Sequence, residues 1–207
     1  QEPDRQEEEH GESASYFARW TDRYKEAREY LYGTMEKEPD EEAAHEIMLE
    51  EAEQGNAYAM HDMGKIYAQG IGCEADKEMA DVWYKKALAA MHYVEQKKRN
   101  TYLEYRIGKM YQYGLGTDEN LEQAAEWFSK AAAKEHKYAL YSLGMLYLQG
   151  KGVEQDEETA YSLLFRSYSK GNPYAAYELG KLYETGCGTE KNQEKSENCY
   201  RAAFLGF

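Results

Sequence analysis

The 207-residue chain lacks several features that stabilise or anchor other classes of protein. It holds three prolines and three cysteines, and valine and isoleucine are scarce. The cysteines, Cys73, Cys187 and Cys199, form no CxxC pair, so neither a disulfide framework nor a zinc site is predicted. The longest apolar stretch, within residues 138–148, is far shorter than the roughly 20 residues that span a bilayer. We therefore expect a protein of a reducing compartment, the cytoplasm, without membrane contact.

The scarcity of strand-forming residues favours an all-α fold, because Ala, Glu, Lys, Leu and Tyr are abundant instead. The chain is 42% hydrophobic and 14% aromatic, which is enough for a packed core. Its net charge of −14 is unevenly distributed: residues 1–53 contain eighteen acidic and six basic residues, and the remainder is nearly neutral. With no basic stripe to follow a phosphate backbone, direct binding of nucleic acid is not expected.

One glycine pattern recurs four times in the chain, as MGKIYAQGIG, IGKMYQYGLG, LGMLYLQGKG and LGKLYETGCG. Its first glycine is Gly64, Gly108, Gly144 and Gly180, with spacings of 44, 36 and 36 residues. A GxG pair ends each copy, and four residues later stands a side chain that can cap a helix, namely Asp76, Asn120, Asp156 and Asn192. Each repeat is therefore predicted to contain a helix A, a glycine turn and a helix B.

The predicted A helices lie near residues 57–69, 101–113, 137–149 and 173–185, and the B helices near 76–92, 120–134, 156–170 and 192–205. The first glycine of each copy falls inside helix A, where glycine costs about 1 kcal/mol relative to alanine. We therefore expect another helix to cross each A helix at close range.

The amino-terminal quarter continues the repeat in divergent form. Counting 36 residues back from Asp76 gives Asp40, which begins a fifth B-type helix. A preceding helix is predicted over residues 15–32, although it lacks the glycines. We divide the chain into a flexible acidic segment at 1–13, a divergent helix pair at 14–56, and four repeats at 57–100, 101–136, 137–172 and 173–207.

The pattern A-x-x-x-LG-x-x-Y-x-x-G-x-G, followed by a capped helix with A-x-x-W-[YF]-x-x-A, resembles the Sel1-like repeat, a relative of the tetratricopeptide repeat. This resemblance implies an α/α right-handed superhelical solenoid of about five helix-turn-helix units. It also implies a bacterial scaffold for protein–protein contacts without catalytic machinery. The runs YRIGKMYQYGLGT and AAFLGF further resemble the repeat tail of some bacterial mobilisation relaxases, which suggests a larger DNA-mobilisation protein as context.

The resemblance also assigns roles to positions counted from the first glycine. The family's core positions correspond to Met63, Ile107, Leu143 and Leu179, and to Tyr67, Tyr111, Tyr147 and Tyr183. By analogy with related repeats, the positions six and three before the glycine and one after it line a concave groove. In this sequence they are Tyr58, His61 and Lys65; Tyr102, Tyr105 and Lys109; Tyr138, Tyr141 and Met145; and Tyr174, Tyr177 and Lys181.

Tyrosines beside lysines favour a groove for a peptide or protein partner, since phenol rings offer contact area at little entropic cost and ammoniums bind carboxylates. An acidic peptide or a carboxy-terminal carboxylate is the expected ligand, and the chain's own acidic amino terminus is a rival occupant. In the alternative interpretation, the tyrosines only pack between neighbouring repeats, and the region is a passive spacer or dimerisation module.

Two further features allow more than one interpretation. The extra residues between the first two full repeats include Lys97, Lys98 and Arg99, which contact a partner or form a solvated loop. The apolar ending, Phe204, Leu205 and Phe207, is expected from self-association through that end, from the removal of a following segment, or from a terminus that folds back. An enzyme is disfavoured because no HExxH, GxSxG or phosphate-binding glycine loop is present, and no cofactor or metal is expected.

Overall fold

The computed structural model describes residues 15–206, and within this range the chain forms ten α-helices. They are α1 (Asp22–Tyr32), α2 (Glu41–Glu53), α3 (Ala57–Gln69), α4 (Lys77–Lys97), α5 (Thr101–Tyr113), α6 (Leu121–Ala133), α7 (Lys137–Gln149), α8 (Glu157–Ser169), α9 (Pro173–Thr185) and α10 (Gln193–Gly206). The prediction of an all-α fold built from paired helices is confirmed. The acidic segment 1–13 and Phe207 lie outside the described residues.

The helices alternate between two roles, with odd-numbered A helices and even-numbered B helices. Each A helix from α3 onward packs against the B helix of its own repeat and against the B helix of the preceding repeat. Such nearest-neighbour packing is how helical repeats bury a continuous core. The A helices therefore form one row along the molecule and the B helices form the other.

Side-chain caps begin the B helices where the sequence predicted them. The carboxylate or amide oxygens of Asp76, Asn120 and Asp156 each accept a 2.9 Å hydrogen bond from the backbone N–H three residues later. Asn192 accepts the equivalent bond from Lys195 at 2.9 Å. Each cap satisfies one of the free N–H groups of a first helical turn.

The recurrent glycines mark close contacts of two kinds. A Cβ at Gly64 would lie 2.5 Å from the Tyr84 ring, and one at Gly108 would lie 2.6 Å from the Phe128 ring, so the predicted crossing helix is the B helix of the same repeat. Gly116, in the turn that follows, has a φ of +69° and sits against the backbone of Tyr84 in the preceding repeat. The glycine inside helix A allows close packing within a repeat, and the second glycine of the GxG pair allows close packing of one repeat on the next.

The buried core follows the predicted register. The residues just before the first glycines, Met63, Ile107, Leu143 and Leu179, are all buried. Of the four predicted core tyrosines, Tyr183 is buried, and Tyr67, Tyr111 and Tyr147 are partly buried.

The amino-terminal helix differs from the prediction over residues 15–32, because it begins only at Asp22. Thr21 caps it, and the segment before the cap is not helical. The backbone N–H of Phe17 instead donates a 3.0 Å hydrogen bond to the carbonyl of Gly55, in the turn before α3. A pairing between segments so far apart in sequence leaves no periodic pattern, so the helical spacing of the aromatic residues was misleading here.

Candidate protein-binding face

The predicted groove residues lie along the row of A helices, and their exposure increases toward the carboxyl end. We call this surface the A-helix face, and define it by the positions six, three and two before the first glycine, and one and five after it. Tyr102 and Tyr105 are partly buried, whereas Tyr138, Tyr174 and Tyr177 are 38%, 52% and 49% exposed. The face is therefore most open over the last two repeats.

The prediction that Tyr58 lines the groove is wrong, because this side chain is only 2% exposed. Helix α1 precedes α3 in the row of A helices. Together with Trp20, just before its first residue, it covers the Tyr58 side chain. The Tyr24 and Trp20 rings each lie 6.2 Å from the Tyr58 ring, centroid to centroid. Tyr58 thus belongs to the contact between α1 and α3, and the first tyrosine of the face that is open to a partner is Tyr102.

The tyrosines of this face contact one another across the repeat boundaries. The ring of Tyr105 lies 6.1 Å from that of Tyr138, and the ring of Tyr141 lies 6.1 Å from that of Tyr174. The two contacts are equivalent, since each joins the position three before the glycine to the position six before the next one. Burial raises the pKa of Tyr105 to about 12, so its hydroxyl stays protonated and can donate a hydrogen bond at neutral pH.

The cations of the face differ in their partners. The Lys109 ammonium donates a 2.9 Å hydrogen bond to the Tyr113 hydroxyl and lies 4.3 Å from the centre of that ring. Lys181 instead lies 2.6 Å from the Glu178 carboxylate. Met145 takes the same position in the intervening repeat and is partly buried. Tyr113, 60% exposed, was missed by the sequence register although it lies one turn beyond Lys109.

A buried ionic cluster anchors the amino-terminal end of the face. The Asp62 carboxylate, on α3, accepts hydrogen bonds from the Tyr24 hydroxyl at 2.8 Å and from Arg28 Nη1 at 2.9 Å. Arg106 Nη2, on α5, lies 3.6 Å from the same carboxylate. Burial raises the pKa of Asp62, but the His61 hydrogen bond and the charges of Arg106 and Arg28 outweigh it and hold the pKa well below its usual range.

The sequence contained a signal for this cluster that the repeat register did not use. Two residues before each first glycine, where the neighbours are apolar, stands a buried polar residue: Asp62, Arg106, Ser142 and Glu178. A polar residue that recurs at one helical position beside the core indicates a paired buried group. The partners of Asp62 on α1 could not be identified from the pattern, because α1 lacks the glycines that set the register.

Comparison with known protein families agrees with this geometry. The Sel1 repeat matches the chain five times, at residues 24–56, 57–90, 102–136, 137–172 and 173–205. The chain belongs to the Sel1 repeat family. The first of the five matches begins at Tyr24, so the divergent helix pair α1 and α2 is itself a Sel1 repeat.

Solved structures show the same fold. A Sel1 repeat protein from Oxalobacter formigenes is 26% identical with a TM-score of 0.68, over 88% of this chain and 69% of that one. A protective antigen of uropathogenic Escherichia coli is 28% identical with a TM-score of 0.58, over 88% of this chain and 37% of that one. An immunity protein from Pseudomonas aeruginosa is 20% identical with a TM-score of 0.53, over 89% of this chain and 80% of that one, which shows the fold alone.

A search of curated proteins finds no match to the chain. The family and structural matches give no support to the resemblance with the repeat tail of mobilisation relaxases.

Within residues 15–206, His, Cys, Asp and Glu side chains form no group of three or more that could hold a metal ion. No helix in the described part of the chain is long and apolar enough to cross a membrane.

The insertion between the second and third Sel1 repeats forms a separate polar cleft. It lengthens α4 to 21 residues, against 13 for α6 and α8. The resulting cleft of about 490 Å³ is lined by Glu95, Gln96, Arg99, Glu104, Lys130, Ala133 and Lys134. The buried Glu104 carboxylate accepts a 2.7 Å hydrogen bond from Lys134 through Oε1. Of the predicted basic residues in the insertion, Arg99 lines this cleft, and Lys97 lies over the Tyr93 ring.

Proposed function

We propose that this Sel1 repeat protein is a non-catalytic scaffold that binds a protein or peptide segment along its A-helix face. The observation that carries the proposal is the run of partly exposed tyrosines that touch across successive repeats, as Tyr105 does with Tyr138 and Tyr141 with Tyr174. Aromatic side chains with a polar tip are enriched among the residues that dominate binding energy at protein interfaces.

The arrangement suits an extended ligand. The successive ring contacts present apolar surface at regular intervals, and the phenol hydroxyls and lysine ammoniums supply hydrogen-bond donors beside it. The fixed helices hold these side chains in place before a ligand arrives, which reduces the entropy lost on binding. The B helices also expose apolar side chains, such as Val82 and Phe165, which provide a matched comparison.

A pulldown from a lysate of the source organism tests the proposal. The chain is compared with the variant Tyr105→Ala/Lys109→Ala/Tyr141→Ala and with the control Val82→Ala/Phe165→Ala, after circular dichroism confirms equal helicity. The proposal predicts a partner that the native chain and the control retain and the A-helix variant loses. Equal retention by all three proteins would place the binding surface elsewhere.

Self-association is a second candidate function, because Phe204 and Leu205 at the end of α10 are 81% and 78% exposed. Two adjacent exposed apolar side chains can join copies of the chain through this end. Sedimentation velocity of the native chain and of Phe204→Glu/Leu205→Glu tests this. A concentration-dependent dimer that the double variant abolishes supports self-association, and a native chain that stays monomeric at every concentration measured contradicts it.

A further inference from the structure

The cations at the amino-terminal half of the A-helix face are paired with neutral groups. The Lys65 ammonium donates a 2.9 Å hydrogen bond to the Tyr32 hydroxyl, as Lys109 does to that of Tyr113. Within residues 15–206, neither ammonium lies within 4.0 Å of a carboxylate oxygen. Both hydrogen bonds leave the positive charge uncompensated, since a phenol is uncharged at neutral pH.

Arg106, on the same face of α5 as Lys109, also has unused capacity for hydrogen bonds. Its guanidinium donates one bond, from Nη1 to the Tyr102 hydroxyl at 3.1 Å. Nε and Nη2 have no hydrogen-bond acceptor among the described residues, although the side chain is only 10% exposed. A buried donor without an acceptor costs free energy, which makes this guanidinium receptive to an added anion nearby.

The local charge is opposite in sign to that of the whole chain. Arg28, Lys65, Arg106 and Lys109 contribute four positive charges, and Asp62 is the carboxylate within ion-pair distance of the two arginines. Arg28 and Lys65 both lie 4.8 Å from the Tyr32 ring, and Asp62 joins the two arginines. Lys109 follows Arg106 by one turn of α5. The net charge of the chain is nevertheless −14.

The carboxyl-terminal half of the face lacks this surplus. Lys181 is equivalent in register to Lys65 and Lys109, yet it lies 2.6 Å from Glu178. The intervening repeat has Met145 at this position. An anion is therefore attracted to one end of the face, and the tyrosines of the other end offer mainly apolar contact.

We propose that the Lys65 and Lys109 ammoniums, with Arg106 beside them, bind an acidic side chain or carboxylate of the partner segment. This inference rests on the proposed function, since it assigns the chemistry of the segment that lies on the A-helix face. A peptide fits better than a polyanion such as nucleic acid, because the chain's net charge of −14 repels a long run of negative charge. The partner segment is thus acidic at the end that reaches α3 and α5, where these cations lie, and aromatic or apolar beyond.

Selection from a random dodecapeptide display library against the full chain tests this inference. Selected sequences are synthesised with a fluorescent label, and their affinities are measured by fluorescence anisotropy. Each peptide is also made with Asp and Glu replaced by Asn and Gln. The protein variants are Lys65→Gln/Lys109→Gln, the matched control Lys181→Gln, and Tyr138→Ala/Tyr174→Ala. The exposed or partly exposed lysines tolerate glutamine without loss of the fold.

The expected result is enrichment of Asp or Glu at one end of the selected peptides. Amide replacement, or Lys65→Gln/Lys109→Gln, should weaken binding about tenfold, as expected for loss of a charge-assisted hydrogen bond. Lys181→Gln should change the affinity less than twofold, because Glu178 already compensates this charge. Peptides whose affinity falls with Tyr138→Ala/Tyr174→Ala, but is unchanged by amide replacement and by Lys65→Gln/Lys109→Gln, would overturn the carboxylate site and leave the proposed function standing. Selected peptides whose affinity is also unchanged by Tyr138→Ala/Tyr174→Ala would overturn both the carboxylate site and the proposed function.

Discussion

The Tyr24 hydroxyl of α1 donates a 2.8 Å hydrogen bond to the Asp62 carboxylate of α3, which connects the divergent first repeat to the regular ones. Arg28, one turn further along α1, binds the same carboxylate at 2.9 Å. Through these bonds α1 covers the first part of the A-helix face. The tyrosines left open for a partner therefore begin at Tyr102, whereas Lys65 on α3 stays partly exposed beside Tyr32.

Removing the Asp62 charge should strongly destabilise the fold. Asp62→Asn leaves Arg28 and Arg106 without their shared counterion, and breaking a buried ion pair in this way costs about 3–5 kcal/mol of the free energy of unfolding. Urea denaturation followed by circular dichroism measures the loss. The control is Asp81→Asn, whose exposed pair with Lys85 should contribute less than about 1 kcal/mol. Equal effects from both substitutions would show that the buried cluster is not what joins α1 to α3.

His136 should make the stability depend on pH. It caps α7 by accepting a 3.2 Å hydrogen bond from the Ala139 N–H through Nδ1, which is possible only for the neutral ring. Burial lowers the pKa of His136, with Lys137 adding to the effect. The unfolded chain then binds a proton more readily than the folded chain, so the free energy of unfolding falls as the pH drops through about 6.5.

His136→Asn isolates this effect, because asparagine caps the equivalent helices at Asn56, Asn100 and Asn172 and does not titrate. The variant should lose less stability between pH 7.5 and pH 5.5 than the native chain, as measured by urea denaturation at each pH. The same loss in both proteins would assign the pH dependence to other groups.

Alanine at two equivalent glycines should have unequal effects. A Cβ at Gly108 meets the Phe128 ring at 2.6 Å, whereas one at Gly144 meets Leu164 Cγ at 3.0 Å. Alanine gains about 1 kcal/mol of helix propensity at either position, but overpacking costs about 1–3 kcal/mol where the ring cannot move aside. We expect Gly108→Ala to lower the melting temperature more than Gly144→Ala. The reverse order would contradict the packing described for these helices.

The cap of α6 should contribute measurably to stability. Asn120→Ala removes the 2.9 Å bond to the Gln123 N–H and should lower the free energy of unfolding by about 1 kcal/mol. Asp118→Ala, in the exposed turn before the cap, serves as the control and should change it by less than about 0.5 kcal/mol. Thermal denaturation of the two variants distinguishes these values, and equal stability would mean that the cap bond adds nothing.

The bounds of the four A helices from α3 to α9 could be predicted from the sequence because their signals are local. The glycines end these helices, and caps such as Asn120 begin the B helices. The start of α1 and the burial of Tyr58 could not be predicted in this way, because they depend on long-range pairing of residues 15–32 with α3. The Asp62 cluster has the same origin, since its members come from three separate helices, α1, α3 and α5.

The repeat register predicted where the candidate binding face lies, but it predicted only some of the residues that form it. Tyr113 lies one turn beyond the positions considered, and its exposure depends on how α5 sits among its neighbours. The pairing of Lys181 with Glu178, and of Lys109 with Tyr113, depends on side-chain geometry that the repeat pattern does not contain. The distribution of charge along the face could therefore be established only from the structure.

Site-specific photo-crosslinking in cells of the source organism tests the central claim most directly. A benzophenone amino acid replaces Tyr177 on the A-helix face in one experiment and Phe165 on a B helix in the other, two side chains of similar exposure at 49% and 45%. If the A-helix face binds the partner, the adduct forms from position 177 and is absent from position 165. An adduct from position 165 alone, or equally from both, would contradict the account.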